Sequence, residues 1–130
     1  MATDKKIIIV SCSGASNTGS LSDGAARSIC RQDPERYDML CLPAYSLRKA
    51  PSIKKLNEAG SIVVIEGCPS RCASEILKQG GITPSLVVEV VQDYGVKKVM
   101  IPECDPKDIE RIAADIRVKL KRSKHGEIVH

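Results

Sequence analysis

Two short runs constrain the fold more than anything else in the chain: Ile7-Ile8-Ile9-Val10 and Ser61-Ile62-Val63-Val64-Ile65. Neither alternates apolar with polar residues, and both are β-branched. Such runs suit strands buried on both faces, which belong to parallel sheets covered by helices. Each leads into a loop of small residues and then a helical pattern. Leu21, Ala25, Ala26, Ile29 and Cys30 form one stripe of a first helix, which Asp33-Pro34 stops. Tyr37 to Leu42 reads as a second strand. Pro43 to Ala50 is a loop with helical potential, and Pro51-Ser52 opens a short helix that Gly60 ends. Ser85 to Val91 reads as a fourth strand, followed by a turn at Gln92–Gly95. Lys97 to Pro102 fits either a short fifth strand or an extended loop. A last helix after Cys104-Asp105-Pro106 carries Ile109, Ile112, Ala113, Ile116 and Leu120 on one face.

Strands alternating with helices predict an α/β fold: a small three-layer parallel sheet, Rossmann-like or flavodoxin-like, in the order 2-1-3-4 with helices on both faces. With 130 residues and neither a repeat nor a composition break, the expected organisation is one α/β metal-binding domain over 1–122 and a polar tail over 123–130. A content of 28% charged and 42% hydrophobic residues is that of a soluble globular protein. Aromatics make up only 2%, which leaves no stacking platform for single-stranded nucleic acid. The net charge of +4 gathers partly at Arg117, Lys119, Lys121, Arg122 and Lys124, a run too short for a nucleic-acid site. The run Ile7–Val10 is too short for a secretory leader, and no stretch has membrane-spanning length. The expectation is a cytoplasmic protein with reduced thiols, bound neither to membrane nor to nucleic acid.

In such a location six cysteines point to metal or thiol chemistry rather than disulfides. Parallel sheets bind ligands beyond the carboxyl ends of their strands, where the strand order reverses. Cys12 follows the first strand, Cys41 ends the second, and Cys68 and Cys72 follow the third. All four therefore fall on one rim, where four thiolates could surround a metal at Zn–S distances of about 2.3 Å. Glu66-Gly67-Cys68-Pro69-Ser70-Arg71-Cys72 joins the third strand to its helix. Its spacing puts Cys68 near the N-cap and Pro69 at the first helical position, where backbone N–H groups favour thiolate. Glu66, Ser13 and Arg71 are candidates to support the ligands. Cys30 reads as core, Cys104 could approach the same rim, and His125 and His130 are not read as ligands.

Two other chemistries fit the letters. Cys68 or Cys72 could be the nucleophile of a thiol-based redox or sulfur-transfer enzyme, with Cys12 or Cys104 as the resolving thiol. The loop from Gly14 to Ser20 could bind a small anion through backbone N–H groups. Gly14-x-x-x-x-Gly19 resembles half of a phosphate-binding loop, but Ser20-Leu21 stand where Lys and Ser/Thr are needed, so nucleotide hydrolysis is not expected. Whether the chain is an enzyme is left open by the residues.

Cys12-Ser13-Gly14-Ala15-Ser16-Asn17-Thr18-Gly19, then Cys41-Leu42-Pro43-Ala44, then Glu66-Gly67-Cys68-Pro69-Ser70-Arg71-Cys72-Ala73, resembles the DGC-domain family of zinc-binding proteins. Asp93-Tyr94-Gly95-Val96-Lys97-Lys98 is similar to a later segment of that family. Glu66 stands where the family's eponymous triplet has Asp. The resemblance implies zinc held by the cysteines at positions 12, 41, 68 and 72. Four thiolates suit iron as well, and an unidentified protein partner would be compatible with a metal-carrying role.

Overall fold

The structure is a computed structural model that describes residues 5–122. The tail expected over 123–130, with Lys124, His125 and His130, lies outside the described residues. The elements run β1 (Ile7–Ser11), α1 (Asn17–Gln32), β2 (Tyr37–Met39), α2 (Leu42–Ser46), α3 (Ala50–Asn57), β3 (Ser61–Glu66), α4 (Cys72–Gln79), β4 (Leu86–Glu89), α5 (Val90–Tyr94) and α6 (Pro106–Arg122).

The four strands are all parallel, in the order β2-β1-β3-β4. β1 and β3 form the centre, paired in register from Ile7↔Ser61 to Ser11↔Ile65. Their uninterrupted apolar runs are explained by two cores, one on each face. Ile9, Val63, Ile65 and Val88 face α1 and α6, which supply Leu21, Ala25, Ile29, Ile112, Ala113 and Ile116. Ile8, Val10 and Val64 face the other way, against Tyr45, Leu56, Ala73 and Leu77 of α2, α3 and α4. Each fully buried Ile, Val or Leu contributes about 1.5–3 kcal/mol relative to exposure.

Several expected elements change. The fourth strand stops at Glu89, because Glu89 caps a short helix: its side chain accepts from the Gln92 N–H at 2.8 Å, and α5 replaces the strand end and the expected turn. Leu42–Ser46 is helical, with Pro43 in its first turn. Residues 96–104 form neither strand nor helix; they run as a strap that bends at 100–102 and brings Lys98 and Met100 to the rim. The helix after β3 begins at Cys72, not near Cys68. Its N-cap is Arg71 in the left-handed conformation (φ 51°, ψ 48°), so Pro69 lies in the preceding turn. Among the described residues no helix is long and apolar enough to cross a membrane.

Candidate functional site

The strand order reverses between β1 and β3, and Cys12 continues β1 there, its N–H bonded to the Ile65 carbonyl at 3.0 Å. The buried Ser22 hydroxyl, one turn into α1, reaches the Cys12 and Gly19 carbonyls and fixes this loop from below. Across the crevice the 67–71 turn closes on itself through the Arg71 N–H to Cys68 carbonyl bond of 3.1 Å. The two loops meet backbone to backbone. A Cβ on Gly67 would lie 3.0 Å from the Gly19 Cα across that contact, and one on Gly19 would lie 2.6 Å from Gly14 within the first loop. Only glycine permits that approach.

This contact leaves a recess of about 150 Å³ lined by Cys12, Cys68 and Cys72, with Gly14, Gly19, Gly67, Ser70, Lys98 and Met100 among its walls. Three of the four cysteines expected to act together therefore share one pocket. Cys41 stands on the same rim as the N-cap of α2, but it lines a neighbouring recess of about 310 Å³ with Ser11, Ser13, Asp23 and Arg27. Among the described residues no three His, Cys, Asp or Glu side chains are set at the spacing needed to hold a metal ion.

The thiols differ in character. The Ser70 backbone N–H, and next to it the Lys98 ammonium at 3.4 Å from Sγ, hold the Cys68 thiol below the ordinary thiol range. Burial, reinforced by Asp38, pushes Cys30 up to about 11, and its side chain packs against the α1–α6 core as its place on the stripe implies. Cys104 contacts Ser20 at 3.7 Å and packs on that same core; it does not line the recess. In metal-free protein, iodoacetamide should therefore label Cys68 at neutral pH while Cys30 stays unlabelled, as site-resolved mass spectrometry would show. The midpoint of the Cys68 rate–pH profile should rise toward the ordinary thiol value in Lys98→Ala.

Glu66 takes a more specific role than loop support. It is fully buried, and its two carboxylate oxygens accept the Ala73 and Ser74 N–H groups at 3.2 and 2.6 Å. It thus caps α4, whose own N-cap residue offers no side-chain bond. The other two expected supporters do less: Ser13 lines the Cys41 recess, and Arg71 provides the backbone turn. In the Gly14–Ser20 loop, the N–H groups of Asn17, Gly19 and Ser20 are engaged by the Val99 carbonyl, the Ser16 hydroxyl and the Ser16 carbonyl, so these donors are committed within the protein.

No sequence signal marks Lys98, Met100 or Ser22 as site residues, and Asn17 stands out only as part of the Gly14–Ser20 loop. The strap that brings Lys98 and Met100 in has no periodicity to reveal its path. The Ser22 hydroxyl, three residues after Gly19, carries no signal beyond its place on the buried side of α1.

Comparison with curated proteins and with solved structures returned no match. The family model described as DGC domain matches residues 8–116, which take in both central strands, the recess and most of α6. The chain belongs to the DGC-domain family.

Proposed function

We propose that the protein binds one thiophilic metal ion, zinc or iron, through thiolates at the carboxyl rim of its sheet. Cys12, Cys68 and Cys72 are the primary donors, and Cys41 is the candidate fourth. The observation that carries this reading is the convergence of three thiols on one recess at the point of strand reversal. The donor set suits a soft metal: three thiolates with a divalent cation leave one negative charge, which the Lys98 ammonium beside Cys68 offsets. The sulfurs are not pre-set at bonding distance, so binding would draw the 67–71 turn toward Cys12. Glu66 holds the start of α4, and with it Cys72, while this happens. A bound metal would supply a Lewis-acidic centre if three thiolates hold it. A fourth, from Cys41, would close the shell and suit a structural or metal-carrying role.

Elemental analysis of the purified chain should find about one zinc or iron per molecule, removable by chelator. Cys68→Ser with Cys72→Ser should abolish binding. Thiol counting before and after chelation then separates three protected cysteines from four. Retention of full metal affinity by the double variant would sink the proposal.

The contact between Lys98 and Cys68 favours a second reading, thiol catalysis. Cys68 would attack the electrophile, with Cys12 or Cys72 as resolving thiol. With hydrogen peroxide as oxidant, Cys68 would become a sulfenic acid and one water would leave; attack by the second thiol would then form the disulfide and release another water. A disulfide between recess cysteines after mild peroxide treatment of metal-free protein supports this reading. Persistence of both thiols counts against it.

A further inference from the structure

We infer that Asn17 is a positioning residue for the cysteine recess: its side-chain amide latches the 96–104 strap so that Lys98 and Met100 stay over the thiols. This inference rests on reading that recess as the protein's working site.

The strap leaves α5 through Gly95 in the left-handed conformation and reaches Cys104 without joining the sheet. Sheet pairing is what normally fixes such a segment at a rim, and here Asn17 binds its middle through both side chain and backbone. Asn17 Nδ2 donates to the Lys97 carbonyl at 2.9 Å, and Oδ1 accepts from the Val99 N–H at 2.7 Å. The Asn17 backbone N–H donates to the Val99 carbonyl at 3.2 Å. These bonds bracket Lys98, whose ammonium lies 3.4 Å from Cys68 Sγ, and they place Met100 in the wall of the recess. Val96 and Cys104 pack on the core at the two ends of the strap, but Val99, Met100 and Ile101 remain 37%, 75% and 57% exposed, so little apolar burial holds its middle down. Asn17 is the first residue of α1, and Ser16 caps that helix independently, so the amide is free for this task.

The consequence concerns what reaches the thiols. With the strap latched, the recess measures about 150 Å³. At Cys12 and Cys68, which are part-buried, that admits a metal ion or a ligand of a few heavy atoms and hinders a bulky thiol-reactive molecule, whereas Cys72 at the edge is exposed.

The test uses the full chain, metal-free. Each recess cysteine is alkylated with N-ethylmaleimide and, separately, with a dye-linked maleimide several times larger. Both reagents attack the same thiolate, so the ratio of the two rates reports access rather than ionisation. In Asn17→Ala the large-to-small ratio at Cys12 and Cys68 should rise about tenfold, as should exchange of the Val99 amide proton, for the loss of two side-chain hydrogen bonds. Asn17→Asp keeps the acceptor for Val99 but loses the donor to Lys97, so it should fall in between. Cys30, far from the strap, should not change. An unchanged ratio and unchanged Val99 exchange overturn the inference, as does a parallel rise at Cys30, which would signal general loosening. Should Asn17→Ala fail to fold, Asn17→Asp decides alone by the same readouts. Because no metal is present, a chain that binds none yet responds to the latch variants refutes only the metal reading. A chain that binds metal but does not respond refutes only the latch.

Discussion

Glu66→Ala is expected to lower the unfolding free energy by about 3 kcal/mol, read as a fall in the urea midpoint at unchanged slope. The carboxylate has no exposed surface and accepts two backbone N–H groups from the first turn of α4. Its removal leaves the buried Ala73 N–H and the part-buried Ser74 N–H without partners and opens a cavity, and those two costs add. No other side chain can take over, since the N-cap residue Arg71 makes no capping bond. Glu66→Gln should cost less, about 1–2 kcal/mol, because its carbonyl oxygen can still accept one bond while its NH2 opposes the other donor. The same change should loosen Cys72, which begins the helix that Glu66 anchors, so metal affinity should fall along with stability. Unchanged stability in Glu66→Ala would show that this carboxylate does not cap the helix.

Gly19→Ala should be at least as damaging, about 3 kcal/mol or more, and it should distort the Cys12 loop that forms one wall of the recess. The new methyl would sit 2.6 Å from the Gly14 nitrogen and oxygen, and those are backbone atoms that cannot rotate away. Relief requires shifting the Gly14 stretch of the Cys12 loop away from the start of α1, which distorts one wall of the recess, so metal binding should weaken beyond what the stability loss explains. Gly81 supplies the control. Its φ is +78° and an added Cβ meets nothing within 4 Å, so Gly81→Ala should cost only about 1 kcal/mol of backbone strain and leave the recess intact. Thermal melts of the two variants beside metal titrations would check both halves of this expectation.

What was legible in the chain follows from how local each signal is. The runs at Ile7–Val10 and Ile62–Ile65 could only be strands covered on both sides, and the helical stripe through Leu21, Ala25 and Ile29 named its own buried face. From these came the strand order and the placement of Cys12, Cys41, Cys68 and Cys72 on one rim. The start of α4 was misplaced because Pro69 is a good first helical residue in isolation. The structure instead defers the helix to Cys72, where Glu66 can reach its free N–H groups. The fourth strand was read too long because Val90 and Val91 have strand propensity, yet the Glu89 cap turns them into helix. Tertiary context overrides propensity where a buried carboxylate must find donors.

The sequence by itself determined the layered parallel sheet, its order and the rim on which the thiols stand, because burial on two faces and period-dependent stripes are written residue by residue. Only the tertiary structure decided which thiols share a pocket, parting Cys41 from the other three, and that Lys98 arrives beside Cys68 on a strap held by Asn17. Those outcomes depend on contacts between residues up to 82 positions apart. Such contacts are set by backbone approach and single hydrogen bonds, and neither leaves a periodic mark in the letters.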